Sequence, residues 1–230
     1  MNSTTHMTVG ALSAGLLLAH SLSNGPQLSF ELAGYQVYPL IAVFAGAMGG
    51  LAPDVDMAKS RARRFLRRVV RTCLILSALS LAIMYFIPPY GYEFWDGTVR
   101  LGAGADRGVS LVLAAFCIFI IVIAEKAKHR GFTHTVVGLA VVAAPLVFML
   151  ITGVMFVGAY IAVSAQIGFL LGWLSHMVID SFNYPGTPWL WPLVKKHFRL
   201  MRIASGKEGE ATFLLVCIVI FAACYAIIII

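Results

Sequence analysis

Charged side chains are scarce in this sequence. Asp, Glu, Lys and Arg make up 12% of its 230 residues, about half the share that is usual in a globular domain. Apolar residues make up 60%, and the mean hydropathy is +0.88. A chain with so little charge and so many apolar side chains is neither an ordinary soluble enzyme nor a disordered tail, so the composition indicates a membrane protein.

Cysteine is also rare. The four cysteines are Cys73, Cys117, Cys217 and Cys224. None has the spacing of a disulfide framework or of a zinc-binding pair. Each lies inside an apolar run, where a thiol behaves as a small hydrophobic side chain. A secreted disulfide scaffold is therefore excluded.

Seven apolar runs approach or reach the roughly 17 to 25 residues that a helix needs to cross a bilayer. They predict an all-α fold, a polytopic transmembrane bundle of about seven helices, or six if the short first or fourth run lies in the interface. Neither a polar linker nor an internal repeat divides the chain, so we expect a single integral membrane domain over residues 1–230. The runs are 7–23, 35–52, 70–88, 109–125, 135–152, 154–175 and 211–230.

The basic residues predict the orientation of this bundle. All but Arg100 and Arg107 of the 17 Lys and Arg residues fall in the three loops that follow the second, fourth and sixth runs. Alternating helices place these loops on one face, and the positive-inside rule makes that face cytoplasmic. Residues 1–7 contain no Lys or Arg, unlike the start of a cleaved signal peptide. We therefore expect the first helix to be retained, the N-terminus to be cytoplasmic and the C-terminus to lie outside.

Seven His and Asp residues lie at the ends of the predicted helices, where ionisable side chains are costly and usually functional. One precedes the first helix, two end the second, two open the fifth and two end the sixth. In that order they are His6, Asp54, Asp56, His129, His134, His176 and Asp180. The orientation derived from Lys and Arg alone puts all seven at the cytoplasmic face.

The spacing of these residues suits a metal ion. His176 and Asp180 are one helical turn apart and project from the same face. Thr133 is expected to cap a helix that begins at His134, and a helix N-terminus favours the neutral imidazole that a metal requires. A cation would offset the repulsion between the carboxylates that end the second helix. Imidazole and carboxylate ligands favour zinc, with manganese or iron as alternatives, and the candidates suffice for one or two ions.

Four ordered motifs resemble the YdjM family of bacterial inner-membrane proteins, described as membrane-bound metal-dependent hydrolases. They are the early His6, LAPDVDMAKS at 51–60, HRGFTHT at 129–135 and GWLSHMVIDSFNYPGTPWLWPL at 172–193. More remotely, the order of the His and Asp residues is similar to that of zinc-dependent phospholipase C and P1-type nucleases, which cleave phosphodiesters. The chain departs from the family at Met57, where a His is common, and at Asn183 and Tyr184, where Thr-Pro is common.

This resemblance implies a metal-dependent hydrolase of the bacterial inner membrane, with its site at the cytoplasmic interface. A site at that level meets lipid headgroups, so we expect membrane lipids as partners, a phosphoester or ester of a lipid-like molecule as substrate, and no nucleic acid. Asp56 or Glu210 is the candidate general base. Arg130 lies inside HRGFTH, where its planar guanidinium is a candidate clamp for a phosphate group.

Two other classes of function are compatible with the sequence. An ion or metal transporter would bind ions transiently, and it predicts ionisable groups near the bilayer midplane or an inverted repeat. A non-catalytic scaffold would recruit an acidic partner through the basic loops, and its function would survive alanine at the His and Asp positions. A single interfacial histidine is often only a hydrogen-bonded surface residue, so the convergence of all seven residues is what favours a metal site.

Overall fold

The structure is a computed structural model. It describes residues 3–23, 29–32, 34–56, 131–152, 159–184, 186–201, 203 and 208–229, together with Arg64, Arg68, Arg71, Thr72 and Ile75. Contacts divide the chain into two compact units, Met1–Val55 with Lys128–Ile230, and Asp56–Ala127. Apart from Asp56, all the elements below belong to the first unit. In the second unit, Arg64, Arg68 and Arg71 are helical and exposed.

The described part of the chain is mostly helical, as predicted. The elements in order are α1 (Ser3–Ser23), β1 (Phe30–Leu32), β2 (Tyr35–Val37), α2 (Pro39–Leu51), a 3-10 helix (Ala52–Asp56), a second 3-10 helix (Phe132–His134), α3 (Val136–Thr152), α4 (Ala159–Asp180) and α5 (Glu208–Ile229). Among the described helices, two are long and apolar enough to cross a membrane, namely Tyr160–Asp180 within α4 and Glu208–Ile229. The predicted runs 70–88 and 109–125 lie outside the described residues, except for Arg71, Thr72 and Ile75, so the count of seven stays a prediction.

The prediction that residues 35–38 are helical is wrong. Phe30–Leu32 and Tyr35–Val37 form an antiparallel hairpin with Phe30 opposite Val37, and Gly34 takes a positive φ of 81° in its turn. Pro39 explains why the helix begins later, since proline favours the first turn of a helix and disfavours helical backbone at the residue before it. The hairpin buries Tyr35 and Val37 in an apolar cluster with Leu146 of α3 and Val163 of α4.

Glycine allows α1, α2 and α4 to pack with their backbones in close contact. A Cβ atom at Gly172 of α4 would overlap the carbonyl oxygen of Gly46 in α2, and one at Gly50 would overlap that of His6 in α1. Helices in membranes commonly associate through such small residues, because dispersion contacts are strongest where backbones approach closely. This packing brings the C-terminal end of α2 against the ends of α1 and α4 that carry the candidate ligands.

Substitution of Gly172 tests this close packing. We expect Gly172→Ala to force α2 and α4 apart and to lower the thermal midpoint by about 5 °C, since overpacking costs roughly 1 to 3 kcal/mol. Gly209→Ala on α5 is the matched control, because its Cβ atom would lie 3.9 Å from Ile203 Cγ2 in ordinary contact. The measurement is thermal unfolding of both variants in detergent. Equal midpoints for Gly172→Ala and the parent would contradict tight packing at this crossing.

Candidate metal centre

Five of the seven predicted ligands converge at one end of α1, α2 and α4. They are His6, Asp54, His134, His176 and Asp180, with exposed fractions of 1%, 4%, 0%, 0% and 2%. His6 lies at the end of the first turn of α1, Asp54 in the 3-10 helix after α2, and His134 in the 3-10 helix before α3. His176 and Asp180 occupy successive turns at the end of α4. Residues separated by up to 174 positions in sequence thus share one buried pocket.

His176 is at the centre of this cluster. Its Nε2 atom lies 3.2 Å from His134 Nε2 and 3.7 Å from a carboxylate oxygen of both Asp54 and Asp180. His134 Nε2 lies 3.5 Å from Asp180 Oδ2 and 4.0 Å from Asp54 Oδ1. His6 Nε2 lies 3.3 Å from Asp180 Oδ1, and its ring stacks on that of His176 at 3.8 Å.

These donor atoms form two overlapping groups. His6, Asp54 and His176 are one, and His134, His176 and Asp180 are the other, with the ligand atoms of each within 4.8 Å of one another. His176 is the shared member. Three donors from imidazole and carboxylate match the protein ligands of catalytic zinc sites. The arrangement is therefore compatible with one ion, or with two ions that share His176.

Neighbouring groups fix which atoms of the ligands face the pocket. His176 Nδ1–H donates to the Gly50 carbonyl at 2.7 Å, which directs Nε2 toward the pocket. Thr133 Oγ1 lies 3.0 Å from His134 Nδ1, and Asn183 Nδ2 donates to Asp180 Oδ1 at 3.1 Å. Partners of this kind orient metal ligands and set the tautomer of histidine.

The electrostatics of the pocket favour a bound cation. His176 Nε2 faces His134 Nε2 and the carboxylates of Asp54 and Asp180, and a divalent cation among these atoms would offset the repulsion between the two carboxylates. His6 precedes the predicted apolar run 7–23, and burial, followed by the neighbouring His176, lowers the pKa of its imidazole to about 4. His6 is therefore neutral near pH 7. Its Nδ1 atom is buried and has no hydrogen-bond partner among the described residues. The residues present thus fit a divalent ion.

Glu210, a candidate base, lies close to this cluster in the first turn of α5. It is 5% exposed and accepts a hydrogen bond of 2.8 Å from Thr5 Oγ1. Thr5 directly precedes His6, so this bond holds the start of α5 against the part of α1 that carries a candidate ligand. Glu210 is not a member of either donor group.

Three other predicted site residues have no described side chain. Asp56 is the last residue of the 3-10 helix Ala52–Asp56, and nothing is described beyond its backbone. His129 and Arg130 lie outside the described residues. Their roles as ligand, base and phosphate clamp stay predictions.

The sequence did not identify the residues that support the ligands. Gly50, Thr133 and Asn183 supply the hydrogen bonds to His176, His134 and Asp180. Thr133 was expected to cap a helix starting at His134, but α3 begins at Val136 and Thr135 Oγ1 accepts from Gly138 N–H at 3.0 Å. The position of Thr133 next to a candidate ligand was the one available signal, whereas a contact between Gly50 and His176 depends on tertiary packing.

Comparison with known proteins supports the likeness noted in the motifs. The family model described as YdjM inner membrane protein matches residues 1–230. Two curated relatives, the inner membrane proteins YdjM of Escherichia coli (strain K12) and Shigella flexneri, are each 36% identical over 99 residues. The match covers 43% of this chain and 47% of each relative, so the chain spans about half the length of the curated relatives it matches. No solved structure matches the chain significantly.

Proposed function

The chain belongs to the YdjM family of inner membrane proteins, and we propose that it is a membrane-embedded metal-dependent hydrolase. The supporting observation is the buried cluster of three imidazoles and two carboxylates, whose Nε2 and Oδ atoms face one another at 3.2 to 4.0 Å. Imidazoles and carboxylates are the ligand types found in catalytic zinc sites, and here five of them from four separate elements converge in one buried setting. The proposed substrate is a phosphoester or ester of a lipid-like molecule.

The ion would be held by His6, Asp54, His134, His176 and Asp180, and zinc suits this ligand set best. A divalent ion in such a site acts as a Lewis acid and lowers the pKa of water toward about 7, so a Ser or Cys nucleophile is not required. Glu210 is the proposed general base, with its carboxylate oriented by Thr5. Asp56 and Arg130 are proposed as a second candidate base and as the clamp for a phosphate group.

The proposed location of the site is the cytoplasmic interface of the inner membrane. The support is the concentration of Lys and Arg in three loops, together with the position of the cluster at the helix ends. The N-terminus would then be cytoplasmic and the C-terminus outside. Water from the cytoplasm and the scissile bond of a lipid headgroup can both reach a site at the interface. We therefore propose an amphiphilic substrate.

Elemental analysis of the detergent-purified chain tests the proposal first. We expect roughly stoichiometric zinc, manganese or iron, followed by hydrolysis of phospholipid or phosphodiester probes that a chelator abolishes and added metal restores. Metal-free protein that binds no divalent ion on titration would contradict the metal site. Stoichiometric metal with ion flux in proteoliposomes, and no hydrolysis of any probe, would instead support a transporter.

Substitution of Asn183 tests the support of the ligands. Asn183→Leu keeps a similar size but removes the amide that donates to Asp180 Oδ1. We expect metal affinity to fall about 10- to 100-fold, the usual effect of losing such a partner. Gln36→Leu in the hairpin is the matched control for loss of an amide. Competitive titration against a chelating dye measures both variants, and an unchanged affinity in Asn183→Leu would remove Asn183 from this role.

A further inference from the structure

A large apolar cavity lies beside the candidate metal centre, between α1, α4 and α5. Its volume is about 860 Å³, toward the upper end of the roughly 300 to 1,000 Å³ that is usual for ligand pockets. We name it the α1/α4/α5 groove. The α1 side includes Val9 and Leu16, the α4 side Leu174 and Ile179, and the α5 side Cys217 and Ile220.

The groove runs past the level of the metal centre along α4. Ser175 and Ile179, which line it, are the immediate neighbours of His176 and Asp180. Gly209, at the same end of the lining, directly precedes Glu210. One end of a ligand in the groove would therefore lie at the same level of α4 and α5 as the candidate ligands and the candidate base.

The hydroxyl groups in the lining are already paired with backbone. Ser13 Oγ donates to the Val9 carbonyl, Ser175 Oγ to the Gly172 carbonyl, and Thr212 Oγ1 to the Glu208 carbonyl. Each of these hydroxyl groups already donates its proton to a backbone carbonyl and cannot donate it to a ligand. A polar ligand would therefore lose its hydration without full compensation. This favours a hydrocarbon occupant.

The dimensions and surroundings of the groove point to one lipid chain. Along α5 the lining runs from Gly209 to Phe221, about 18 Å at 1.5 Å per residue, and one leaflet of the hydrocarbon core is about 15 Å thick. Two of the helices that form the groove are those apolar enough to cross a membrane. Leu174 and Ile220 line the groove yet are 39% and 55% exposed, so it is accessible from the side of the helices.

We propose that the α1/α4/α5 groove binds one acyl chain of the substrate and so positions the ester or phosphoester bond at the metal centre. The assignment of that chain to the substrate rests on the proposed function. The groove then selects amphiphiles with a long hydrocarbon chain over water-soluble esters of the same headgroup. Each methylene group that enters such a groove adds to affinity, because it leaves water.

Photochemical labelling tests the groove without any measurement of hydrolysis. The probe is a phosphatidylglycerol with a diazirine near the end of one acyl chain, added to the full chain in detergent with and without chelator. We expect adducts at groove residues such as Leu174 and Cys217 that saturate near one per chain and persist without metal. Adducts that rise linearly and equally on both faces of α5 would overturn the proposal.

Two tryptophan variants and one control make the test specific. We expect Cys217→Trp and Leu174→Trp, which fill the groove from α5 and α4, each to lower the saturable adduct yield at least about tenfold. Val219→Trp is the control, since Val219 is 60% exposed and lies about 200° around α5 from Cys217. Equal yields in all three variants would overturn the proposal, as would exclusion of the probe by a second copy of the chain.

The outcomes separate the groove from the proposed function. Saturable groove labelling in a protein that binds no metal would retain the groove as a lipid site and overturn the hydrolase. Metal-dependent hydrolysis without saturable labelling would retain the hydrolase and overturn the groove. Support for both requires labelling that saturates and hydrolysis that weakens as the acyl chain of the substrate is shortened.

Discussion

His176→Ala is expected to remove bound metal and to reduce hydrolysis to the uncatalysed background. His176 belongs to both donor groups, so its loss leaves neither group with three donors. Loss of a residue that only hydrogen-bonds to a metal ligand already lowers metal affinity about 10- to 100-fold. For loss of a ligand itself we expect metal affinity to fall more than about 100-fold. Elemental analysis after gel filtration measures the metal, and probe hydrolysis measures the activity.

His197→Ala is the matched control for this substitution, because His197 is exposed and lies outside both donor groups. It should keep the metal and the activity of the parent. If His176→Ala keeps its metal in full, His176 is not a ligand and the shared-ligand arrangement is wrong. If it loses the metal but keeps hydrolysis, the metal is structural and the proposed chemistry is wrong.

Removal of the metal is expected to lower the thermal midpoint of the parent protein on the order of 10 °C. The candidate ligands come from α1, α4 and two 3-10 helices, so an ion would cross-link elements that are far apart in sequence. A ligand present at about 1,000 times its dissociation constant stabilises the folded state by about 4 kcal/mol. For a chain of this size, that free energy corresponds to a shift of roughly 8 to 16 °C. Thermal unfolding in detergent, with and without chelator, measures the shift.

The same variants provide the control for the thermal measurement. His176→Ala should show no chelator-dependent shift, since it has no metal to lose, whereas His197→Ala should show the shift of the parent. A parent protein that contains metal but unfolds at the same temperature after chelation would contradict a cross-linking ion. A chelator-dependent shift in His176→Ala equal to that of the parent would place the metal at another site.

Short-range patterns in the sequence predicted part of the site. His176 and Asp180 lie one turn apart on a helix, and the 3.6-residue period alone puts them on a common face. The bond between Thr5 and Glu210 joins residues 205 positions apart, and no spacing rule relates them. The strand Tyr35–Val37 was read as part of a helix, because apolar composition does not distinguish a short buried strand from a helix. Local periodicity therefore identified neighbours within an element and not between elements.

Membrane residence, the mostly helical character of the chain and the identity of the candidate ligands were determined by the sequence itself, because composition, periodicity and motif order are properties of the chain before it folds. Tertiary structure decided that His176 is shared by two donor groups, that Gly50 directs its Nε2 atom toward the pocket, and that an apolar groove adjoins the cluster. The physical reason is the contact of α1, α2 and α4 through glycine, which brings backbones together at distances that no linear spacing specifies.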